Sequence, residues 1–562
     1  MNILGIGFLS EASACLLKNG KLVAAISEER LNRKKLWYGY PEASINQVLE
    51  IGKIKLNDID FVATHGFLSE KPSKKNFEKK KKLVRTSNLP LKQKEFLINF
   101  LDKRYSHEVY VFEQRTPKMI ATIKRIGKPT KIYSHHHCHA ATAYYGSGWK
   151  DCFVITADGW GEDGSHTFYQ CKNEKNVKKA FNKISFSNTI DSLGYFYGSI
   201  TKALGFIPHR HEGKILGLAA YKKKPKSLNF IKKMISFDPI QKCFKGNIES
   251  GTYLADFDNP FLISLLKKYT KKDIASATQI TLENVFLQHI KELEGNNRLA
   301  VAGGLFANVK LNQKINESKK IKEIYVFPNM GDGGLSVGSA WLAHHEITKK
   351  YPHKPKTMYL GYKISKQKSL SLLKIFGLKH KEFKNINRKI AELLANKKIV
   401  ARCSGRMEFG PRALGNRSIL YEANDKKINK WLNKKLKRTE FMPFAPITKF
   451  ENANEFFEQT NSLFSSQFMT ITSNCTKKMI SQAAAAVHVD LTARPQLVKK
   501  EINSDLYEIL DEYEKITGNK NLINTSFNMH EEPIVCNEND AIRAFLESKI
   551  DFLVLNDLLI WN

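Results

Sequence analysis

Short apolar runs, each closed by a glycine-rich or acidic turn, recur along the chain and predict its strands. Asn2–Gly7 is apolar and extended, residues 12–18 are a second apolar run, Asn19-Gly20 is a strong hairpin turn, and Lys21–Ser27 returns. The figure comes back after residue 150. Residues 152–158 (CFVITAD) read as a buried strand, 159–164 as a glycine-rich acidic turn, and 165–171 as the returning strand. Residues 299–301 run as a buried strand into Gly303-Gly304, and 324–328 run into Gly331-Asp332-Gly333-Gly334. Two strand–turn–strand units, each followed by helical segments, predict an α/β fold with a duplicated lobe around a cleft.

The pattern changes after residues 345–357 (HEITKKYPHKPKT), a polar stretch with two prolines. A domain over 1–348, a linker over 349–357 and a second domain over 358–562 are expected. In the second, residues 399–402 form a short strand that leads to a glycine/arginine loop, and Phe552–Leu555 is a late strand. A length of 562 residues with 42% hydrophobic and 26% charged composition fits several globular domains and excludes a disordered or collagen-like chain. No apolar run approaches the ~18 residues of a membrane span. The N-terminus lacks the basic head and cleavage pattern of a signal peptide, so a cytoplasmic location is expected. Eight cysteines without a CxxC pair read as thiols and exclude a zinc ribbon. Lys+Arg 90 against Asp+Glu 55 gives +35, a field that favours polyanionic partners, nucleic acid first. The lysine run over 71–82 is expected to be a solvated face, or to lie along phosphates with Arg85, Lys92 and Lys94.

Candidate chemistry falls in three places. His135 and His139, four apart in HHHCHAA, share one face of a helix and can grip a metal ion. Asp158 and Asp332, at the ends of strands facing the cleft, complete a set suited to iron(II), manganese or zinc. Gly303, Gly304 and Asn308, after a strand, are a phosphate cradle. Arg412 and Arg417 in GPRALGNRS, with Lys437, Arg438, Arg494 and Asn524, describe a small-anion pocket.

The segments HHHCHAATA, TADGWGEDG, HEGKILGLAAY, VAGGLFAN, GDGGLSVGSA, GPRALGNRSIL, EFMPFAP, AVHVDLTARPQ and NTSFNMHEEPIV resemble, in this order, the two-domain O-carbamoyltransferase family of antibiotic tailoring and nodulation-factor biosynthesis. The resemblance spans the whole chain. It implies an N-terminal actin-like ATPase lobe and a C-terminal lobe like threonylcarbamoyl-adenylate synthase. It also implies carbamoyl phosphate and ATP (with Mg2+) as co-substrates, joined through carbamoyl-adenylate. Arg412, Arg417, Lys437, Arg438, Arg494 and Asn524 would then hold carbamoyl phosphate, with Arg494 and Lys437 neutralising charge as phosphate leaves. Gly303, Gly304 and Asn308 would hold the nucleotide, and Lys34 or Lys35 matches a basic position near the adenylate. The chain departs from the family at its first hairpin, where Ser10-Glu11 replaces His-Asp. Glu11 takes the general-base role, or another group such as His65 does. Trp37, Tyr38 and Tyr40 are placed to stack on an aromatic acceptor or to pack in a seam. The acceptor hydroxyl is expected on nucleic acid, for instance hydroxymethylated cytosine in DNA, or else on a sugar or natural product. An ATPase-like nucleic-acid binder without transfer activity is the competing class, no membrane partner is expected, and a homodimer remains open.

Overall fold

The computed structural model describes residues 1–66, 74–161, 164–247, 250, 259–436, 441–458 and 463–561. Lys437 and Arg438 lie outside these, as do residues 71–73 of the lysine run and 162–163 of the acidic turn.

Among the described residues, the first part of the chain builds two five-stranded sheets on one plan. In the first, β1 (Asn2–Gly7) is central. The antiparallel pair β2 (Ser13–Lys18) and β3 (Lys21–Ser27) lies on one side, and the parallel strands β4 (Phe61–His65) and β5 (Thr130–Tyr133) lie on the other. In the second, β6 (Asp151–Gly161) is central, between antiparallel β7 (Gly164–Lys172) and β8 (Phe181–Asn188) and parallel β9 (Arg298–Ala302) and β10 (Glu323–Val326). The duplication expected from the recurring apolar figure is therefore present. β1 and β6 are buried along nearly their whole length, as strands covered on both faces must be.

A short helix, α1 (Glu28–Asn32), leaves β3. Between β4 and β5 the chain inserts α2 (Lys74–Thr86), α3 (Leu91–Tyr110) and α4 (Thr116–Lys124), with a single π-helical stretch, Val111–Arg115, between the last two. α5 (His135–Ser147) follows β5, and α6 (Leu335–Thr348) follows β10 in the equivalent place. These two helices meet at small residues. A Cβ on Gly338 would lie 2.1 Å from the Cys138 carbonyl, so only glycine permits this approach. The crossing brings the start of α5 to the start of α6, which is where the chemistry-bearing residues sit.

α6 runs to Thr348 and ends on a left-handed Lys349, the first residue of the stretch 349–357 expected as linker. The rest is tied down: the His353 N–H donates to Gly20 O (2.9 Å) and Lys354 Nζ to Ser147 O (3.0 Å). The C-terminal part carries a mixed sheet of eight strands among the described residues. Its order is Lys379–Glu382, Leu558–Trp561, Phe552–Leu555, Val400–Cys403, Arg417–Glu422, Leu522–Ser526, Ala445–Lys449, Gln496–Val498. One apolar core joins the two parts, since Ile26 and Trp341 belong to the same cluster as Leu360, Met407, Phe409 and Ile534. All eight cysteines are free and buried. Among the described residues no helix is long and apolar enough to cross a membrane.

Candidate metal centre

The i,i+4 spacing does what helical geometry requires. His135 opens α5 and His139 lies one turn on, with their Nε2 atoms 3.1 Å apart. Asp158, near the end of β6, points Oδ2 at both rings, 2.8 Å from His139 Nε2 and 3.4 Å from His135 Nε2. Asp332, at the turn into α6, places Oδ1 at 3.5 and 3.6 Å from the same atoms. The four ligand atoms lie within 4.8 Å of one another. Ligands about 2.1 Å from a shared tetrahedral ion would sit roughly 3.4 Å apart, close to most of these spacings. The donor set of two imidazoles and two carboxylates suits a borderline divalent cation. The residues fit a metal.

Without one, the cluster shares protons. Burial pushes the Asp158 carboxyl up, but the His139 and His135 imidazoles outweigh it and hold it well below the carboxylate range. Burial pushes His139 down, yet Asp158 and Asp332 lift it to about 9. Its neighbour His136 faces away, with Nδ1 2.9 Å from Thr156 Oγ1, and burial lowers it to about 3.

The glycine loop expected to cradle phosphate is part of this centre. Gly304 N–H donates to Asp158 Oδ1, the oxygen that does not face His139. Gly303 has φ +111°, and a Cβ there would lie 2.2 Å from the Ala157 carbonyl, so the loop can close on β6 only with glycine. Asn308 is more committed than expected. Its Oδ1 caps the helix Val309–Asn316 through the Leu311 N–H (3.0 Å), and its Nδ2 donates to Gln279 (2.9 Å).

Glu11 reaches the same cleft from the β1–β2 turn, where it holds φ +62° and its Oε2 accepts the Gly333 N–H at 3.2 Å. Burial, with Glu29 and Asp332 adding to it, raises its carboxyl to about 7. His65 is less suited to the base role. Its Nε2 accepts the Phe8 N–H at 3.2 Å, its ring stacks on Phe8, and burial keeps it neutral. Lys34 is exposed, and Lys35 lies within electrostatic reach of Glu531 in the C-terminal part.

The arginine loop corrects one expectation. Arg417 is fully buried, and its guanidinium donates to the carbonyls of Cys536 (2.9 Å), Ser404 (2.9 Å), Asn416 (2.9 Å), Tyr362 (3.1 Å) and Gly405 (3.4 Å). With those bonds made it braces the loop and has no donor left for a substrate anion. Arg412 and Arg494 are half-buried, on loops that meet at Asn524, whose Nδ2 donates to Ala413 O (3.1 Å) and to Gln496 (2.6 Å).

Sequence reasoning missed the residues that hold this loop in place. Glu408 Oε1 accepts the N–H groups of Leu414 (2.7 Å), Asn416 (2.8 Å) and Arg417 (3.2 Å), filling the loop's own anion nest. Arg30 donates to Gly410 O (3.0 Å), and Arg33 donates to Pro533 O (2.6 Å) and Ile534 O (2.8 Å). Gly410 in turn packs on Pro328, at the start of the Asp332 loop. Single charged residues carry no spacing signal, so only their place in the fold shows these contacts.

The family model "Carbamoyltransferase N-terminus" matches residues 2–341, and "Carbamoyltransferase C-terminus" matches residues 391–562. An uncharacterized protein of Methanocaldococcus jannaschii is 33% identical over 99% of both chains. Nodulation protein NolNO of Sinorhizobium fredii is 30% identical over 98% of this chain and 79% of its own. Among solved structures, (R)-2-hydroxyglutaryl-CoA dehydratase component A of Acidaminococcus fermentans aligns with 62% of this chain and 100% of its own at TM-score 0.37 and 16% identity. With both halves of the family model matched in order, this chain belongs to the carbamoyltransferase family and is a carbamoyltransferase.

Proposed function

We propose that this carbamoyltransferase takes its carbamoyl group from carbamoyl phosphate, activates it with ATP, and passes it to an acceptor hydroxyl. Hydrolysis of carbamoyl phosphate gives phosphate and carbamate. A carbamate oxygen attacks the α-phosphorus of ATP, releasing pyrophosphate and leaving carbamoyl-adenylate. The acceptor oxygen then attacks the carbamoyl carbon, AMP leaves, and the hydroxyl proton passes to a base.

Arg412 and Arg494 would hold the phosphate of carbamoyl phosphate, with Lys437, Arg438 and the buried Asn524 completing that pocket. Gly303, Gly304 and Asn308 would border the nucleotide through their backbone, the Gly304 N–H and the Asn308 amide being already engaged, with Lys34 or Lys35 near the adenylate. His135, His139, Asp158 and Asp332 would hold a divalent cation, of which iron(II), manganese and zinc are all compatible with the donors. Such an ion supplies Lewis-acid polarisation when bound. Glu11 would take the acceptor proton, since a carboxyl raised to about 7 exchanges protons readily near neutrality.

The observation that carries this reading is the sharing of Asp158, whose two oxygens serve the glycine loop and the histidine pair at once. Incubation with ATP and labelled carbamoyl phosphate tests it. Pyrophosphate release that depends on carbamoyl phosphate is expected; ATP turnover indifferent to carbamoyl phosphate would sink it.

For the acceptor, charge favours a molecule bearing phosphate. From Lys74 to Lys128 the inserted segment carries sixteen lysines and arginines against five acidic residues. Hydroxymethylated cytosine in DNA is the polymeric case, in which the base must leave the stack to reach the cleft. A sugar or natural-product hydroxyl is the small-molecule case. Transfer of label to hydroxymethylated DNA or to a nucleotide-linked sugar separates the two.

A further inference from the structure

The residues between α1 and the metal centre form a rigid aromatic rim. Leu36 N–H donates to Glu29 Oε2 (2.7 Å), Ala12 N–H to Trp37 O (3.0 Å), and Gly39 N–H to Phe8 O (3.1 Å), so the strip 36–39 is laced to the turn that carries Glu11. Tyr38 faces the centre closely enough that the charge on Asp332 acts on its phenol.

Each aromatic of this rim already carries a cation on one face. Arg115 Cζ lies 3.8 Å from the Tyr38 ring centroid, and Lys34 Nζ lies 5.2 Å from that of Trp37. Both cations are exposed, and neither has a carboxylate partner among the described residues. Arg104, on the other wall, differs. It stacks on Trp160, two residues past Asp158, at 4.4 Å, but Glu108 neutralises it at 2.7 Å. Arg115 also ends the π-helical stretch that interrupts the insertion, a distortion that often marks a functional position. From the end of that stretch its guanidinium carbon lies over the Tyr38 ring.

A stacked base is therefore not what this rim is prepared for, because a cation already lies over each ring. A guanidinium fixed in a plane by an aromatic ring, with its N–H edges open to water, is suited to paired oxygens of a phosphate. We infer that Arg115, held by Tyr38 and flanked by Lys34, binds a phosphate ester carried by the acceptor and so brings its hydroxyl over the metal centre. This rests on the transfer reaction proposed above and adds the acceptor's chemical class. It predicts discrimination against neutral and cationic alcohols, because unpaired cations repel the latter and offer the former nothing.

Two sources of phosphate ester share this chemistry, a nucleotide-linked sugar and a nucleic-acid strand. The full chain would be titrated with UDP-glucose, with a single-stranded 20-nucleotide oligonucleotide and with methyl glucoside, following tryptophan fluorescence. One phosphate-bearing probe is expected to bind, with its Kd raised at least tenfold in R115A and less than twofold in K118A, an exposed cation three residues on. Which of the two binds identifies the source. No binding by either, equal effects of R115A and K118A, or methyl glucoside binding as tightly would each overturn the inference. Pyrophosphate release dependent on carbamoyl phosphate, measured on the same wild-type preparation, reports separately on the activation chemistry. If it is absent while R115A still abolishes probe binding, the transfer reading fails and the phosphate site stands.

Discussion

Arg30 donates from its guanidinium to the Gly410 carbonyl at 3.0 Å, and so joins the hairpin side of the metal cleft to the loop that carries Arg412. The same arginine lies beside Glu29 (3.4 Å) and within electrostatic reach of Glu11. A reactive mixed anhydride hydrolyses when exposed to water, so a closed seam between the two parts favours its transfer over its loss. R30A should raise the ATP consumed per carbamoyl group transferred severalfold, with R30K intermediate. Parallel assays of pyrophosphate and product measure this ratio, and an unaltered ratio would refute the seam's role.

Metal retention should depend on all four ligands. Dialysed wild-type protein is expected to hold about one equivalent by elemental analysis, and H139A or D158A close to none. Because His139 in the metal-free cluster keeps its proton up to about 9, binding at neutral pH must expel that proton. Metal affinity should therefore fall as pH is lowered from about 9, readable by competition with a chelator whose own protonation is known.

Arg417 and Arg412 should behave oppositely despite lying in one loop. R417M strands the carbonyl oxygens that the guanidinium serves, and each unsatisfied buried group costs about 1–3 kcal/mol. Its thermal unfolding midpoint should drop by several degrees or more. R412A should keep the wild-type midpoint and raise KM for carbamoyl phosphate instead. Scanning fluorimetry beside initial rates checks both.

A second histidine pair predicts a weakness in acid. His166 and His289 meet Nε2 to Nε2 at 3.1 Å in an aromatic box that includes Phe237 and Phe244. Burial lowers His289 to about 4, so the folded state takes up its proton later than the unfolded chain, which protonates near 6.5. The unfolded state thus gains more protons as pH falls, and stability declines from about 6.5 down to about 4, by as much as about 3 kcal/mol for this one group. H289Q keeps a hydrogen-bonding side chain without the titration, and its urea midpoint should depend less on pH over that range.

Glu11 predicts the pH dependence of transfer itself. A base whose carboxyl is raised to about 7 works only when ionised, so the rate of transfer to the acceptor should climb as pH rises through about 7 and level off above it. E11Q should lose that limb together with most of the rate. A wild-type profile flat from 6 to 8 would assign proton removal elsewhere.

Much of the centre was readable from one dimension. Four-residue spacing puts His135 and His139 on one helix face wherever that helix packs, and aspartates near the carboxyl ends of buried strands are placed to reach a cleft. The repeated strand–turn–strand figure likewise fixes the paired sheets, because hairpin turns and buried runs are local features. Arg417 shows where this stops. In the sequence it is a loop arginine like Arg412, and only the carbonyls of Tyr362, Ser404 and Cys536 converging on it turn it into a brace. Arg30, Arg33 and Glu408 carried no signal at all, since a single charge has no period, and the partners that give each its role lie 380, 500 and 6 residues away. Local pattern thus determined the recurring strand–turn–strand units and the histidine pair that meets the two aspartates. Which cations are consumed by the fold and which, like Arg115, stay open to a ligand was decided by tertiary packing, because only the folded chain sets what each charge faces.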